Sequence, residues 1–269
     1  MDGMNGKIAI VTGSTQGLGE TIARLFAGRG AGGLVICGRT ADKGIAVSKD
    51  IESKTGVQTV FVQADLGVVA DCINVVGVCD RIFGKVDILV NAAALTDRGT
   101  ILDTSPDLFD RMFAVNVRGP FFLMQEAIKL MRREKTEGSI INIGSMSAMG
   151  GQPILAAYCA SKGALETLTR NTAYALLRNR IRVNQLNIGW MASEGEDRIQ
   201  REFHHADPDW LAKAAAAQPF GRLVDPQEVA RACAYLATDE SGLMTGSAIC
   251  LDQSVWGAYD GSPHPAAPL

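Results

Sequence analysis

The 269-residue sequence has no surplus of basic charge: 26 Lys and Arg face 29 Asp and Glu, a formal net charge of −3. Without a basic stripe there is no electrostatic footprint for nucleic acid, so no such partner is expected. There is also no uninterrupted apolar run of the ~18 residues that a membrane span needs, and no membrane partner is expected either. The opening residues, MDGMNGK, are acidic and polar. They do not read as a secretory leader, which predicts a soluble, cytoplasmic protein. Cysteine is scattered: Cys37, Cys72, Cys79, Cys159, Cys233 and Cys250 include no C-x-x-C pair. A chain this long builds its core without staples, so free, buried, reduced thiols are expected. Histidine is scarcer still, with only His204, His205 and His264, none clustered with a cysteine. That spacing predicts no metal site.

What is present is ordinary for a globular chain, 47% hydrophobic and 20% charged residues, and one pattern recurs. Short apolar runs rich in β-branched residues occur at Ile8–Val11, Leu34–Cys37, Thr59–Val62, Val86–Val90, Ser139–Ile143, Ile181–Leu186 and Ser247–Leu251. Their length favours buried strands. Between them lie amphipathic stretches at Leu18–Ala27, Ala41–Lys54, Val69–Ile82, Leu108–Arg133, Tyr158–Leu177 and Pro226–Ala237. Asp225 before Pro226 has the form of a capped helix start. Strands alternating with helices imply an α/β fold, a doubly wound parallel sheet of about seven strands with helices on both faces. A single domain over 1–269 is expected. Two stretches break the pattern. Residues 190–220 are too long for filler inside a compact domain and read as a lid. The segment 259–269 carries Pro263, Pro265 and Pro268 and reads as an extended tail.

Three motifs carry chemistry. Directly after the first strand comes Gly13-Ser14-Thr15-Gln16-Gly17-Leu18-Gly19. Glycines there turn the chain tightly and bring backbone N–H groups to an anionic pyrophosphate at a helix N-terminus. The spacing is G-x-x-x-G-x-G, not G-x-G-x-x-G, and a plain strand–helix turn would carry glycines too. At the end of the next strand, where dinucleotide sites usually hold a carboxylate for the ribose 2′-OH, stands Gly38-Arg39. Gly38 leaves room there, and Arg39 can form charge-assisted bonds to a 2′-phosphate; a solvated surface arginine is the other reading. NADP is therefore expected over NAD. The third motif is Ser145, then Tyr158 and Lys162 four residues apart on one helix face. A neighbouring ammonium stabilises a phenolate whose reference pKa is ~10. Ser145 follows a strand, at the sheet edge where ligands bind, and a hydroxyl there could support charge on a carbonyl oxygen. Tyr-x-x-x-Lys alone is a weak signal.

Together these residues resemble the short-chain dehydrogenase/reductase family over roughly Gly6 to Asp252. Matching landmarks run in family order through Thr12–Gly19, Asp65, Asn91-Ala92-Ala93-Ala94, Asn116, Ser145, Tyr158-x-x-x-Lys162 and Ile181–Asn184. Pro219–Arg222, Pro226–Ala230 and Thr245-Gly246 complete the series. The resemblance implies an NAD(P)-dependent oxidoreductase acting on CH–OH groups, with Tyr158 as acid/base and Lys162 lowering its pKa and holding the nicotinamide ribose. It gives Ser145 the reacting oxygen and Asn116 a water in a proton relay to Lys162. Asp65 and Leu66 meet the adenine, Asn91, Ala92 and Ala93 line the cofactor cleft beside Gly38, Arg39 and Thr40, and Gly189, Met191 and Ser193 fix the carboxamide. A homotetramer is expected from relatives.

The sequence departs from the family where Asn-Asn-Ala-Gly becomes Asn91-Ala92-Ala93-Ala94, where Pro-Gly becomes Ile188-Gly189, and where Asp-Gly-Gly becomes Asp252-Gln253-Ser254. Trp190 is then a candidate wall of the substrate pocket, with Ser147, Asp97 and Arg98 as further substrate candidates. The charges of Ser193–Asp209 either bind a sugar, polyol or hydroxy acid or form the solvated face of a lid helix whose Ile199 and Phe203 cover an apolar ligand. Charge runs are usually solvated, and His204 and His205 read as surface residues. A cofactor-sensing protein that has lost catalysis is the rival class, disfavoured because a sensor needs the glycines but not the acid/base set.

Overall fold

The computed structural model describes residues 3–255; the proline-rich segment 259–269 lies outside them. The strands are β1 (Ile8–Val11), β2 (Gly33–Gly38), β3 (Thr59–Gln63), β4 (Ile88–Asn91), β5 (Ser139–Ile143), β6 (Arg182–Ile188) and β7 (Ala248–Leu251). They form one parallel sheet in the order β3-β2-β1-β4-β5-β6-β7, with the switch point between β1 and β4. Each lies within two residues of its expected position at either end.

Alternate residues of each strand serve two cores, which is why the strands read as continuous apolar runs. Ala9, Val11, Leu34, Ile36, Ile88 and Val90 pack on one face beneath α1 (Gly17–Gly28) and α9 (Pro226–Ala237). Ile8, Ile10, Val35, Cys37 and Leu89 pack on the other. There α3 (Val69–Phe83), α5 (Gly119–Arg133) and α6 (Ala156–Leu176) cover them, while α2 (Ala41–Thr55) packs beside β3. The stretch expected as one helix over Leu108–Arg133 is α4 (Pro106–Phe113), a π-turn at Ala114–Arg118 and α5. Residues 190–220 fold into α7 (Glu194–His204) and α8 (Trp210–Ala216), where Trp210, Ala214 and Leu223 make a small third core. Among the described residues no helix is long and apolar enough to cross a membrane.

The expected cap is present. Asp225 accepts from Gln227 N at 2.9 Å, while Glu228 accepts from Asp225 N at 3.1 Å. Asp225→Ala should lower stability by about 1 kcal/mol, read as a shifted denaturant midpoint at unchanged slope. All six cysteines are free. Cys37, Cys72, Cys79 and Cys233 are buried as expected, but Cys159 is half-buried and Cys250 exposed. Burial pushes Cys37 and Cys79 up to about 12, which keeps those thiols protonated and unreactive.

Candidate active site

The C-terminal strand ends open into a cleft of about 1160 Å³. At one end lies the glycine loop after β1. Gly13 has φ +62°, and a Cβ there would meet Ala93 Cα at 2.8 Å, so backbone and cleft wall touch only because the side chain is missing. Thr12 Oγ1 accepts from Ala92 N and Ala93 N at 3.0 and 3.1 Å, tying the loop to the end of β4. No side chain caps α1, whose opening residues Gly17, Leu18 and Gly19 line the cleft. A 12-residue helix with an uncapped N-terminus on a glycine cradle fits a dinucleotide pyrophosphate.

Ser14 does not line this cleft. Its hydroxyl donates to Val11 O at 2.6 Å and accepts from Cys37 N at 3.1 Å, bracing the loop from within. Gly38 lines the cleft beside Arg39 and has a further reason to be glycine. A Cβ would come within 2.7 Å of the Thr15 methyl, so Gly38 makes room for Thr15. Arg39 is exposed on the cleft edge beside Thr40, and among the described residues no carboxylate pairs with it. A second cation, Lys43, reaches Gln16 Oε1 at 3.5 Å; nothing in its spacing marked it. Asp65 and Leu66 line the next stretch of wall, where Asp65 Oδ1 accepts from Gly67 N at 2.9 Å.

Asn91 and Asn116 lie behind the wall. Asn91 Nδ2 donates to Asn142 Oδ1 at 2.8 Å, and its own Oδ1 is the one buried side-chain atom without a partner among the described residues. Asn116 is fully buried in the π-turn, a distortion that often marks functional positions. Its Oδ1 accepts from Leu95 N at 2.8 Å, and its Nδ2 donates to Leu95 O and Ser161 Oγ at 2.9 and 3.0 Å. It therefore meets the Tyr158–Lys162 helix through Ser161, without contacting Lys162 itself.

At the other end of the cleft Ser145, Ser147, Tyr158, Lys162, Gly189, Trp190, Met191 and Ser193 converge. Lys162 is buried, and its Nζ donates to Ile143 O at 2.7 Å and sits 5.6 Å from the Tyr158 ring centroid. Desolvation lowers its pKa to about 8. The phenol does not show the expected lowering. Burial pushes Tyr158 up to about 12, against an opposing bond from Ser145, because the amine faces the ring and Ile143 O. At neutral pH this phenol holds its proton, ready to donate it.

Ser145 donates to Ser147 Oγ at 3.0 Å, and Ser147 donates to Gln152 Oε1. Gln152, which no motif marked, thus lines the cleft as the end of a hydroxyl chain. Ser193 caps α7, accepting from Glu196 N at 3.1 Å. Gly189 is overlain by Asp252. Arg98 lines the cleft; Asp97 does not. Arg98 Nη1 donates to Thr96 O at 2.8 Å and its Nε to His204 Nε2 at 3.1 Å; His204 is an exposed residue, as expected, and also stands on the cleft rim.

The model of the enoyl-(acyl carrier protein) reductase family matches residues 13–254. The chain belongs to the short-chain dehydrogenase/reductase family. It is an NAD(P)-dependent oxidoreductase acting on CH–OH groups. It is 32% identical over 253 residues to the NADP-dependent (R)-specific alcohol dehydrogenase of Lentilactobacillus kefiri, covering 93% of this chain and 97% of that one. It is 31% identical over 259 residues to the galactitol 2-dehydrogenase of Agrobacterium fabrum, covering 94% and 98%. The L-sorbose reductase of Gluconobacter frateurii, solved with NADPH and L-sorbose, superposes with TM-score 0.90 at 26% identity, covering 96% of this chain and all of that one.

Proposed function

We propose that this dehydrogenase/reductase uses NADP and interconverts a secondary alcohol and a ketone on a hydroxylated small molecule, a sugar or polyol. One observation carries the reading: a single cleft joins the glycine cradle and Arg39 at one end to Ser145, Tyr158 and Lys162 at the other. The residues with similarity in the alcohol, galactitol and sorbose enzymes span nearly the whole chain, which supports the same substrate class. When bound, the nicotinamide supplies or accepts the hydride.

The chain's own residues supply the proton. Tyr158 Oη gives its proton to the substrate oxygen in reduction and takes it back in oxidation. Ser145 holds that oxygen in line. Lys162, fixed on Ile143 O, keeps the ring in place and would hold the nicotinamide ribose, with Asn116 bracing its helix through Ser161. Arg39, with Lys43 near it, would hold the 2′-phosphate, while Asp65 and Leu66 face the adenine and Gly189, Met191 and Ser193 the carboxamide. The chain acts as one domain, with 190–220 as the lid.

Exposed Phe109, Phe121, Tyr174 and Leu177 on α4–α6 and the following turn support a homotetramer. Free buried thiols support a reducing, cytoplasmic setting. The function is tested by following NADPH consumption with ketoses and NADP reduction with polyols. Turnover is expected, and cofactor binding without turnover on the whole panel would favour a sensor. Arg39→Leu should cut the NADPH/NADH ratio of kcat/KM roughly ten- to a hundredfold through loss of a charge-assisted contact. An unchanged ratio would assign the 2′-phosphate elsewhere.

A further inference from the structure

The face that α7 turns to the cleft is mostly polar. Glu196, Gln200 and His204, four residues apart, line the cleft together with the buried Ile199. Glu196 is held by two donors on the same oxygen. Oε1 accepts from Trp190 Nε1 at 2.8 Å and from Gln200 Nε2 at 2.7 Å. Among the described residues no donor meets Oε2. Trp190 is itself fixed, stacked on Trp210 with ring centroids 6.2 Å apart, and Trp210 Nε1 donates to Asp197 Oδ1 at 2.7 Å. An anchored carboxylate with one free oxygen therefore projects from the lid side of the cleft.

We propose that Glu196 is the specificity-determining residue of this site, accepting a substrate hydroxyl through Oε2 and selecting neutral polyhydroxylated compounds over those carrying a carboxylate. The inference rests on the hydroxylated-substrate reading above. A rigid carboxylate acceptor rewards a hydroxyl donor and repels a like charge, so one group provides both selection and rejection. Neither cation that lines this part of the cleft pairs with Glu196: Arg98 donates to Thr96 O and His204, and exposed Arg198 lies 3.9 Å from Glu202 across one turn. Glu196 also acts near the chemistry, since its charge helps to raise the Tyr158 pKa while that of Arg98 lowers it. On the opposite wall Gln152 and Ser147 complete a polar channel for a chain of hydroxyls.

The test compares kcat/KM with NADPH for a neutral ketohexose, the keto-aldonate of the same skeleton and a simple methyl ketone. Glu196→Gln keeps an oxygen for the Trp190 bond and replaces the free acceptor oxygen and its charge with an NH2 donor. It should lower the ketohexose/methyl-ketone ratio about ten- to a hundredfold, the worth of a charged hydrogen bond, and raise keto-aldonate relative to ketohexose. Glu194→Gln is the control, because that carboxylate stands exposed on the same helix and does not line the cleft; neither ratio should move. Wild-type preference for the ketohexose that Glu196→Gln leaves intact overturns the role of Glu196 alone. Wild-type preference for the methyl ketone, or no turnover of any probe, overturns the hydroxylated-substrate reading and this inference with it.

Discussion

Tyr158→Phe should lower kcat by ~10²–10⁴-fold, the range that a positioned acid/base contributes, while binding of NADP persists. The substitution removes one oxygen and keeps the ring that packs 5.6 Å from Lys162 Nζ. The glycine loop and Arg39 lie at the far end of the cleft and are untouched by it. The phenol is pushed up to about 12, so in the wild-type chain it is protonated across the neutral range. No other acid takes its place: Ser145 and Ser147 are aliphatic hydroxyls that can orient an oxygen by hydrogen bonding but do not give up a proton in the neutral range. Cofactor titration by fluorescence alongside single-turnover rates separates the two effects. A near-wild-type kcat in the variant would remove Tyr158 from the chemistry, and loss of cofactor binding would make it a structural wall.

The catalytic end was legible in the sequence because its geometry is local. Tyr158 and Lys162 share a face by helical spacing, and Ser145 follows a strand whose end must reach the ligand edge of a parallel sheet. The strands were legible because both sheet faces are covered and most of their residues are apolar; β6 is the exception, with Asn184, Gln185 and Asn187 buried and hydrogen-bonded. What stayed hidden depends on packing between distant segments. No periodicity marks the π-turn that splits the helix expected over Leu108–Arg133, since one extra residue per turn leaves the flanking amphipathic pattern intact. Gly38 looked like space for a phosphate, and it also makes room for the Thr15 side chain, 23 residues earlier in the chain. The charge run Ser193–Asp209 looked solvated, and most of it is; of its charged residues only Glu196 and Asp197 are half-buried. Which face of α7 meets the cleft is decided by Trp190 and Trp210, whose stacking pins Glu196 inward and Asp197 away from the lining. Of the neighbours Asp97 and Arg98, only the second has partners in reach, in Thr96 O and His204.

Lys162→Met should abolish turnover yet stabilise the chain without cofactor at pH 7, because the site spends stability on a buried amine. Desolvation lowers the folded pKa of Lys162 from 10.5 to about 8. Between those values the unfolded chain binds more protons than the folded one, so wild-type stability rises with pH across that window. Below about pH 8 the full burial penalty is present, and the shift bounds it at about 3 kcal/mol. Methionine removes that penalty but also strands Ile143 O, whose bond from Nζ spans 2.7 Å; a buried acceptor left without a partner costs about 1–3 kcal/mol. The balance at pH 7 is a gain of up to about 2 kcal/mol, a rise in Tm of up to roughly 8 °C for a chain of this size. As pH climbs through the window the advantage should shrink, and near pH 10.5 the lost hydrogen bond should make the variant the less stable of the two. Thermal melts of both proteins at several pH values check the sign. A variant less stable than wild type at pH 7, by a margin that does not change with pH, would mean that the amine is not desolvated where the structure puts it.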